Sequence, residues 1–234
     1  MLGAGFCIFS AAYSVPTFDL TTNVVGIGSI AIGIVPYLSN RSSMTRCSRW
    51  TARLGRSRVY YWGALTGKRW GLRFDPELLY AGAMFHDMGL TPQYASQHER
   101  FEVDGANAAR DFLRGHGIAP QDIDTVWTAI ALHTTPGIPQ HMHPVIALVT
   151  AGVEMDVLGI AFSEFTDAER EAVVHAHPRP SRFKEEIIQA FYDGIHQKPE
   201  TTFGNVKADV LADKDPSFRP ENFCRVIRGS AWPG

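Results

Sequence analysis

"LLYAGAMFHDMGL", residues 78–90, is an apolar run that ends on a neighbouring histidine and aspartate, His86 and Asp87. Pro76, two residues upstream, sits where proline favours the start of a helix. Gly89 stands where the helix is expected to stop. A buried carboxylate without a partner is costly enough that it normally finds a cation or a set of donors. Adjacent residues on a regular helix point about 100° apart. His86 and Asp87 can therefore converge on one ion only where the helix loosens, at its end.

The pattern outward from this stretch is helical. In "DIDTVWTAIALH", Ile123, Val126, Trp127, Ile130 and Ala131 fall on one helical face. "SRFKEEIIQAFYDGI" does the same with Phe183, Ile187, Ile188, Phe191 and Ile195. Thr166 with Glu169 forms a capping-box pattern. "DGANAARDFLRGHG" reads as a helix ending at Gly115 or Gly117, with Val103, Ala106, Ala109 and Leu113 inward. No sustained alternating run demands a strand, so the fold class is all-α, with Gly/Pro loops such as "HTTPGIPQHMHP" between helices.

Residues 59–234 form this helical body, whereas residues 1–58 have another composition. Residues 1–40 hold a single charge, Asp19, and 41–58 hold six arginines and no acid. Residues 23–39 are apolar for about 17 positions, near the lower limit for a membrane span, but carry three glycines and a proline. A membrane contact there competes with a poorly structured leader or a misassigned start. The net charge of −2 exerts no overall pull on nucleic acid, and none is expected as a partner. Three scattered cysteines make no disulfide framework and favour a reducing, cytoplasmic setting. Two nucleotide-binding patterns fail. "GIGSIA" at 26–31 has no acidic residue about 20 positions on, and "GALTGK" at 63–68 is one residue short of a P-loop.

More ionisable groups join the pair at 86–87. In "VIALVTAGVEMDVLG", residues 145–159, Asp156 shares a face with Val145, Val149 and Val153, which turns a carboxylate toward the core. Either a cation or backbone and hydroxyl donors would compensate it. His133 ends the helix expected over 120–133, and His141 and His143 follow in the loop leading to the Asp156 helix. His175, His177 and His196 read as exposed helix positions. Glu102 and Asp104, in "RFEVDGA", either shuttle a proton beside the pocket or favour a helix N-terminus.

The order His-Asp followed by a distant Asp resembles the HD superfamily of metal-dependent phosphohydrolases. "LLYAGAMFHDMGL", "ERFEVDGANAARDFL", "AIALHTTPGI", "AGVEMDVLG" and "TTFGNVKADVL" are similar to the branch related to cyanamide hydratase, from about Val59 to Gly229. The resemblance implies a helical bundle in which His86, Asp87 and Asp156 ligate a divalent metal, zinc, iron or manganese. It adds His133 and His141 for a second metal, which Asp87 would bridge. The family also places a histidine about 30 residues before the HD pair, ahead of a segment like "RVYYWGAL". No histidine precedes His86 in this chain, and Gly55 or a neighbour occupies that place.

The resulting expectation is an enzyme that uses metal-bound water on a small-molecule substrate, at a phosphorus or at a nitrile carbon. Asp87, Glu102 and Asp104 are the catalytic candidates. Arg100 and Lys207 are the cations considered for a phosphate, while Phe85, Phe101 and Trp127 read as core. The alternative is a non-catalytic HD-fold remnant disabled by the missing histidine. Self-association is left open.

Overall fold

The computed structural model describes residues 55–204 and 206–233, and among these there are helices and turns but no strand. The apolar segment 23–39 and the rest of 1–54 lie outside the described residues. The chain divides between Ala52 and Arg53, and the described residues all belong to the second unit.

Five helices build the part that carries the ionisable groups. They are α1 (Arg56–Arg69), α2 (Pro76–Phe85), α3 (Phe101–Gly115), α4 (Pro120–Leu132) and α5 (Pro144–Val153). Pro76, Pro120 and Pro144 each take the first position of their helix, where the missing N–H costs nothing. Asp75 caps α2, its carboxylate accepting from the backbone of Glu77 and Leu78. Then come α6 (Asp167–Ala176), α7 (Phe183–Ile195), α8 (Val206–Lys214) and α9 (Phe223–Gly229). The capping box at α6 is present, with Thr166 and Glu169 each bonded to the other's backbone N–H.

The expected inner faces are largely inner. Ile123, Val126 and Ile130 of α4 are buried, and so are Ala106, Ala109 and Leu113 of α3. Trp127 is half-buried and donates its indole N–H to Asn107 at 3.0 Å. Phe183 and Ile187 pack with Val157, Ala190 and Ile227, which ties α7 and α9 to the end of the α5 segment. Each fully buried large apolar side chain stabilises the fold by roughly 1.5–3 kcal/mol. His177 is half-buried and stacked on Tyr61, not an exposed helix residue.

Three local departures shape the site. First, α1 begins at Arg56, inside the arginine-rich stretch that composition alone assigned to the leader, and both Arg56 and Arg58 are buried. Second, α2 stops at Phe85, before Gly89, and a 3-10 turn follows over Met88–Leu90. Gly89 serves close approach: a Cβ there would run into the backbone of Phe101 at the start of α3. Third, α5 ends at Val153, and Glu154–Leu158 forms a single π turn closed by Gly159 in the left-handed region, φ 68°. The Trp232 indole donates to the Met155 carbonyl at 2.7 Å, and Arg179 Nη1 donates to the Asp156 carbonyl at 2.8 Å. These side chains bond carbonyls of the turn, and π turns of this kind recur at functional sites.

Candidate metal centre

His86 is the C-terminal cap of α2, and Asp87 leaves the helix with φ −104° and ψ 14°. That change of backbone direction is the loosening needed for neighbouring side chains to meet. His133 caps α4 in the same manner. The three side chains are buried, and one donor atom from each falls within 4.8 Å of the others. His86 Nε2 lies 3.1 Å from Asp87 Oδ2, and His133 Nε2 lies 3.5 Å from Asp87 Oδ1. The two imidazoles stand edge to face, their centres 5.1 Å apart.

Each histidine uses its other ring nitrogen on its own helix. His86 Nδ1 donates to the Ala83 carbonyl at 2.8 Å, and His133 Nδ1 donates to the Ile130 carbonyl at 2.7 Å. The Nδ1–H tautomer leaves Nε2 with its lone pair toward Asp87. A backbone acceptor behind a histidine is the usual support of a metal-ligating imidazole. Asp87 Oδ1 and His133 Nε2 are buried without a hydrogen-bond partner, an arrangement that calls for a shared proton or a cation. Burial by itself would raise the pKa of Asp87, but the neighbouring His86 and His133 imidazoles outweigh it and hold the carboxyl far below the usual range. Burial likewise opposes protonation of His133, and Asp87 outweighs it, raising the imidazole pKa. Two imidazole nitrogens and a carboxylate oxygen are donors that suit a divalent ion of the zinc, iron or manganese class. The residues present fit such an ion with three donors.

Glu102 stands next to this group. It is buried on the first turn of α3 and accepts from Arg100 Nη2 at 2.9 Å and from the hydroxyl of Thr134, the residue after His133. Burial pushes its pKa up, but Arg100 and Thr134 win and leave it below the ordinary glutamate value. Its charge also favours protonation of His133. Asp104, two residues on in the same first turn, is engaged elsewhere. Lys198 Nζ donates to it at 2.8 Å, and the Ser96 backbone N–H at 2.9 Å. Lys198 also bonds the Ser96 and Glu99 carbonyls, fastening the segment that leads into α3.

Asp156 is fully buried, as its place on the core face of the apolar segment predicts, and lies outside the His86–Asp87–His133 group. Arg58 binds it through two nitrogens, Nε to Oδ1 at 2.7 Å and Nη2 to Oδ2 at 3.0 Å. Arg179 Nη1 at 2.9 Å and the Trp62 indole at 3.1 Å also donate to Oδ1. Arg179 lies over the rings of Phe183 and Trp232, 4.1 and 4.5 Å from their centres. Burial lowers its pKa to about 10. Gly55 lies against the pair: its φ is 69°, and a Cβ there would overlap Asp156 Oδ2 and Arg58 Nη2. His141 is exposed at the end of a 3-10 turn over Pro139–His141, and His143, also exposed, caps α5. Both stand apart from the buried group.

The residues missed in the sequence are Arg58, Trp62 and Arg179. Arg58 and Trp62 are four apart in "RVYYWG" and so share a face of α1, a signal that pairs naturally with a core-facing aspartate. Arg179, in a proline-flanked loop, carries no comparable signal.

No curated protein matches the chain. Residues 57–158, a segment that holds His86, Asp87, His133 and Asp156, match the family model described as HD domain.

Proposed function

We propose that the chain is a metal-dependent hydrolase or hydratase of the HD type, adding water to a small substrate. The buried His86–Asp87–His133 group inside the HD segment carries this reading. His86 Nε2, Asp87 and His133 Nε2 hold the divalent ion. When bound, the ion supplies Lewis-acid polarisation and makes water available as a nucleophile near neutral pH.

The chain's own groups then have distinct tasks. The Ala83 and Ile130 carbonyls keep both imidazoles in the metal-accepting tautomer. Phe101, edge-on to His133 at 5.7 Å, helps exclude bulk water. Glu102, ionised and linked to Thr134, accepts or returns a proton beside His133. Asp104, tied to Lys198, holds the segment before α3 in place. Arg100, Arg58 and Arg179 are all committed to carboxylates. These three are therefore not free to hold a phosphate, which favours an uncharged substrate such as a nitrile of the cyanamide type over a phosphoester.

A second reading, a non-catalytic HD-fold remnant, is favoured by the lack of any histidine before His86, where the resemblance puts the family's first one at Gly55 or a neighbour, and by the arginines on Asp156. Two measurements decide between them. Metal content is determined after loading with zinc, iron or manganese. Turnover is then assayed on cyanamide and on a panel of phosphomonoesters. Near one ion per chain, lost in His133→Ala, with turnover of either substrate class, supports the enzyme. An ion content below about a tenth per chain in all three metals removes the metal-centre reading.

A further inference from the structure

We propose that Asp156 is not a metal ligand in this chain but the anchor of a permanent arginine clamp, so that the metal is held by His86, Asp87 and His133 alone. The inference rests on the metal-centre reading for its second half and on geometry for its first.

Four hydrogen bonds from three side chains reach the two oxygens of Asp156. Three of them converge on Oδ1 and one reaches Oδ2, and every one is strengthened by the charge of the carboxylate. Both guanidinium groups are themselves fixed. Arg58 Nη1 donates to the Pro178 carbonyl at 3.1 Å, and its charge lies over the Phe183 ring at 4.8 Å. Arg179 is sandwiched between Phe183 and Trp232. A divalent ion on Asp156 would have to dislodge Arg58 and then sit beside two positive charges in a buried site, where like charges repel strongly.

The surroundings are built for the clamp. Gly55, the residue next to the start of α1, has no side chain, and any Cβ there would displace the Arg58–Asp156 pair. Pro178, Arg179, Phe183 and Trp232 all follow the HD segment, which ends at residue 158. The chain beyond residue 158, through the loop before α7, the start of α7 and the segment after α9, therefore supplies the cation and rings that hold this aspartate. With Asp156 already compensated, the bundle does not need an ion to close. The clamp thus separates folding from metal binding, which many metal sites couple.

The test uses the full chain, treated with a chelator and then titrated with zinc or with cobalt(II) as a spectroscopic probe. In Asp156→Asn, zinc affinity and the cobalt visible spectrum should stay within about threefold and unshifted, while the melting temperature of the metal-free protein falls by about 10 °C. His133→Ala should behave oppositely in metal binding and lose the ion, although its buried ring leaves a cavity that lowers the metal-free melting temperature as well. Loss of zinc binding or a changed cobalt spectrum in Asp156→Asn overturns the proposal. Should that variant not fold, Arg58→Lys gives the same decision. If metal binding required Asp156 to leave Arg58, weakening the pair would tighten zinc binding, by tenfold or more, and that result also overturns it. An unchanged affinity with a lower metal-free melting temperature supports it. A wild-type chain that binds no metal refutes the proposed function instead. The clamp is then judged by whether Asp156→Asn and Arg58→Lys are non-additive in metal-free melting, additivity counting against it.

Discussion

Asp87 and Asp156 are both fully buried aspartates at the C-terminal ends of apolar helical segments, yet their surroundings differ in kind. Asp87 faces two imidazoles and keeps an oxygen without a hydrogen-bond partner. Asp156 meets two guanidinium groups and an indole N–H, with both oxygens engaged. The donors around Asp87 can give up or take a proton and have a lone pair for a metal. Those around Asp156 are fixed cations and an N–H, which can only donate. The difference teaches that burying a carboxylate says nothing about its task; the ionisation chemistry of its neighbours does.

The largest expected effect comes from removing the satisfied carboxylate. Asp156→Ala leaves Arg58 and Arg179 buried without their counter-ion, and should cost about 3–5 kcal/mol in denaturant unfolding of the metal-free chain. A loss under about 1 kcal/mol would show that the two aspartates are alike after all.

Asp87→Asn should do the reverse. It removes a donor from an incompletely satisfied group, so metal-free stability should change by less than about 1 kcal/mol. Zinc affinity, read by calorimetric titration, should fall about a hundredfold or more. A variant that keeps full affinity would break the assignment of the metal to this aspartate.

Gly55→Ala probes the clamp from outside. The added methyl meets Asp156 and Arg58 and must adopt a left-handed backbone, a combination expected to cost about 1–3 kcal/mol. Thermal melting should show it, with zinc affinity unaltered. If zinc affinity fell with stability, the two sites would be coupled.

The smallest effect concerns acid. Glu102 is ionised at neutral pH with a folded-state pKa below its ordinary 4.5, held down against burial by Arg100 and Thr134. A depressed carboxyl pKa contributes stability that is present above the unfolded value and is lost as the pH falls through the folded one. The wild type should therefore lose stability more steeply than Glu102→Gln below about pH 4.5, measured by urea unfolding across that range. Parallel curves would mean that Arg100 and Thr134 do not stabilise the ionised form.

The helices were legible wherever apolar spacing and caps agreed. The face of α4, the Thr166 box and Pro76 all stand where the pattern put them, because local hydrogen bonding and one-sided burial act over a few residues. Their exact ends were not, since Gly89 marks a contact with α3, not a stop, and α5 gives way to a π turn stabilised by distant side chains. No helix among the described residues is long and apolar enough to cross a membrane.

By itself the sequence determined an all-α body, the position of His86 and Asp87 at a helix end, and the burial of Asp156. Periodicity within one segment is enough for each of these. Only the tertiary structure decided that His133 joins the first pair, that His141 stays in solvent, and that Asp156 is met by Arg58 and Arg179. Those partners lie from 23 to 98 residues away along the chain. The reason is physical: hydrogen bonds and ion pairs act over a few ångströms, and which distant residues come that close is set by how the helices pack.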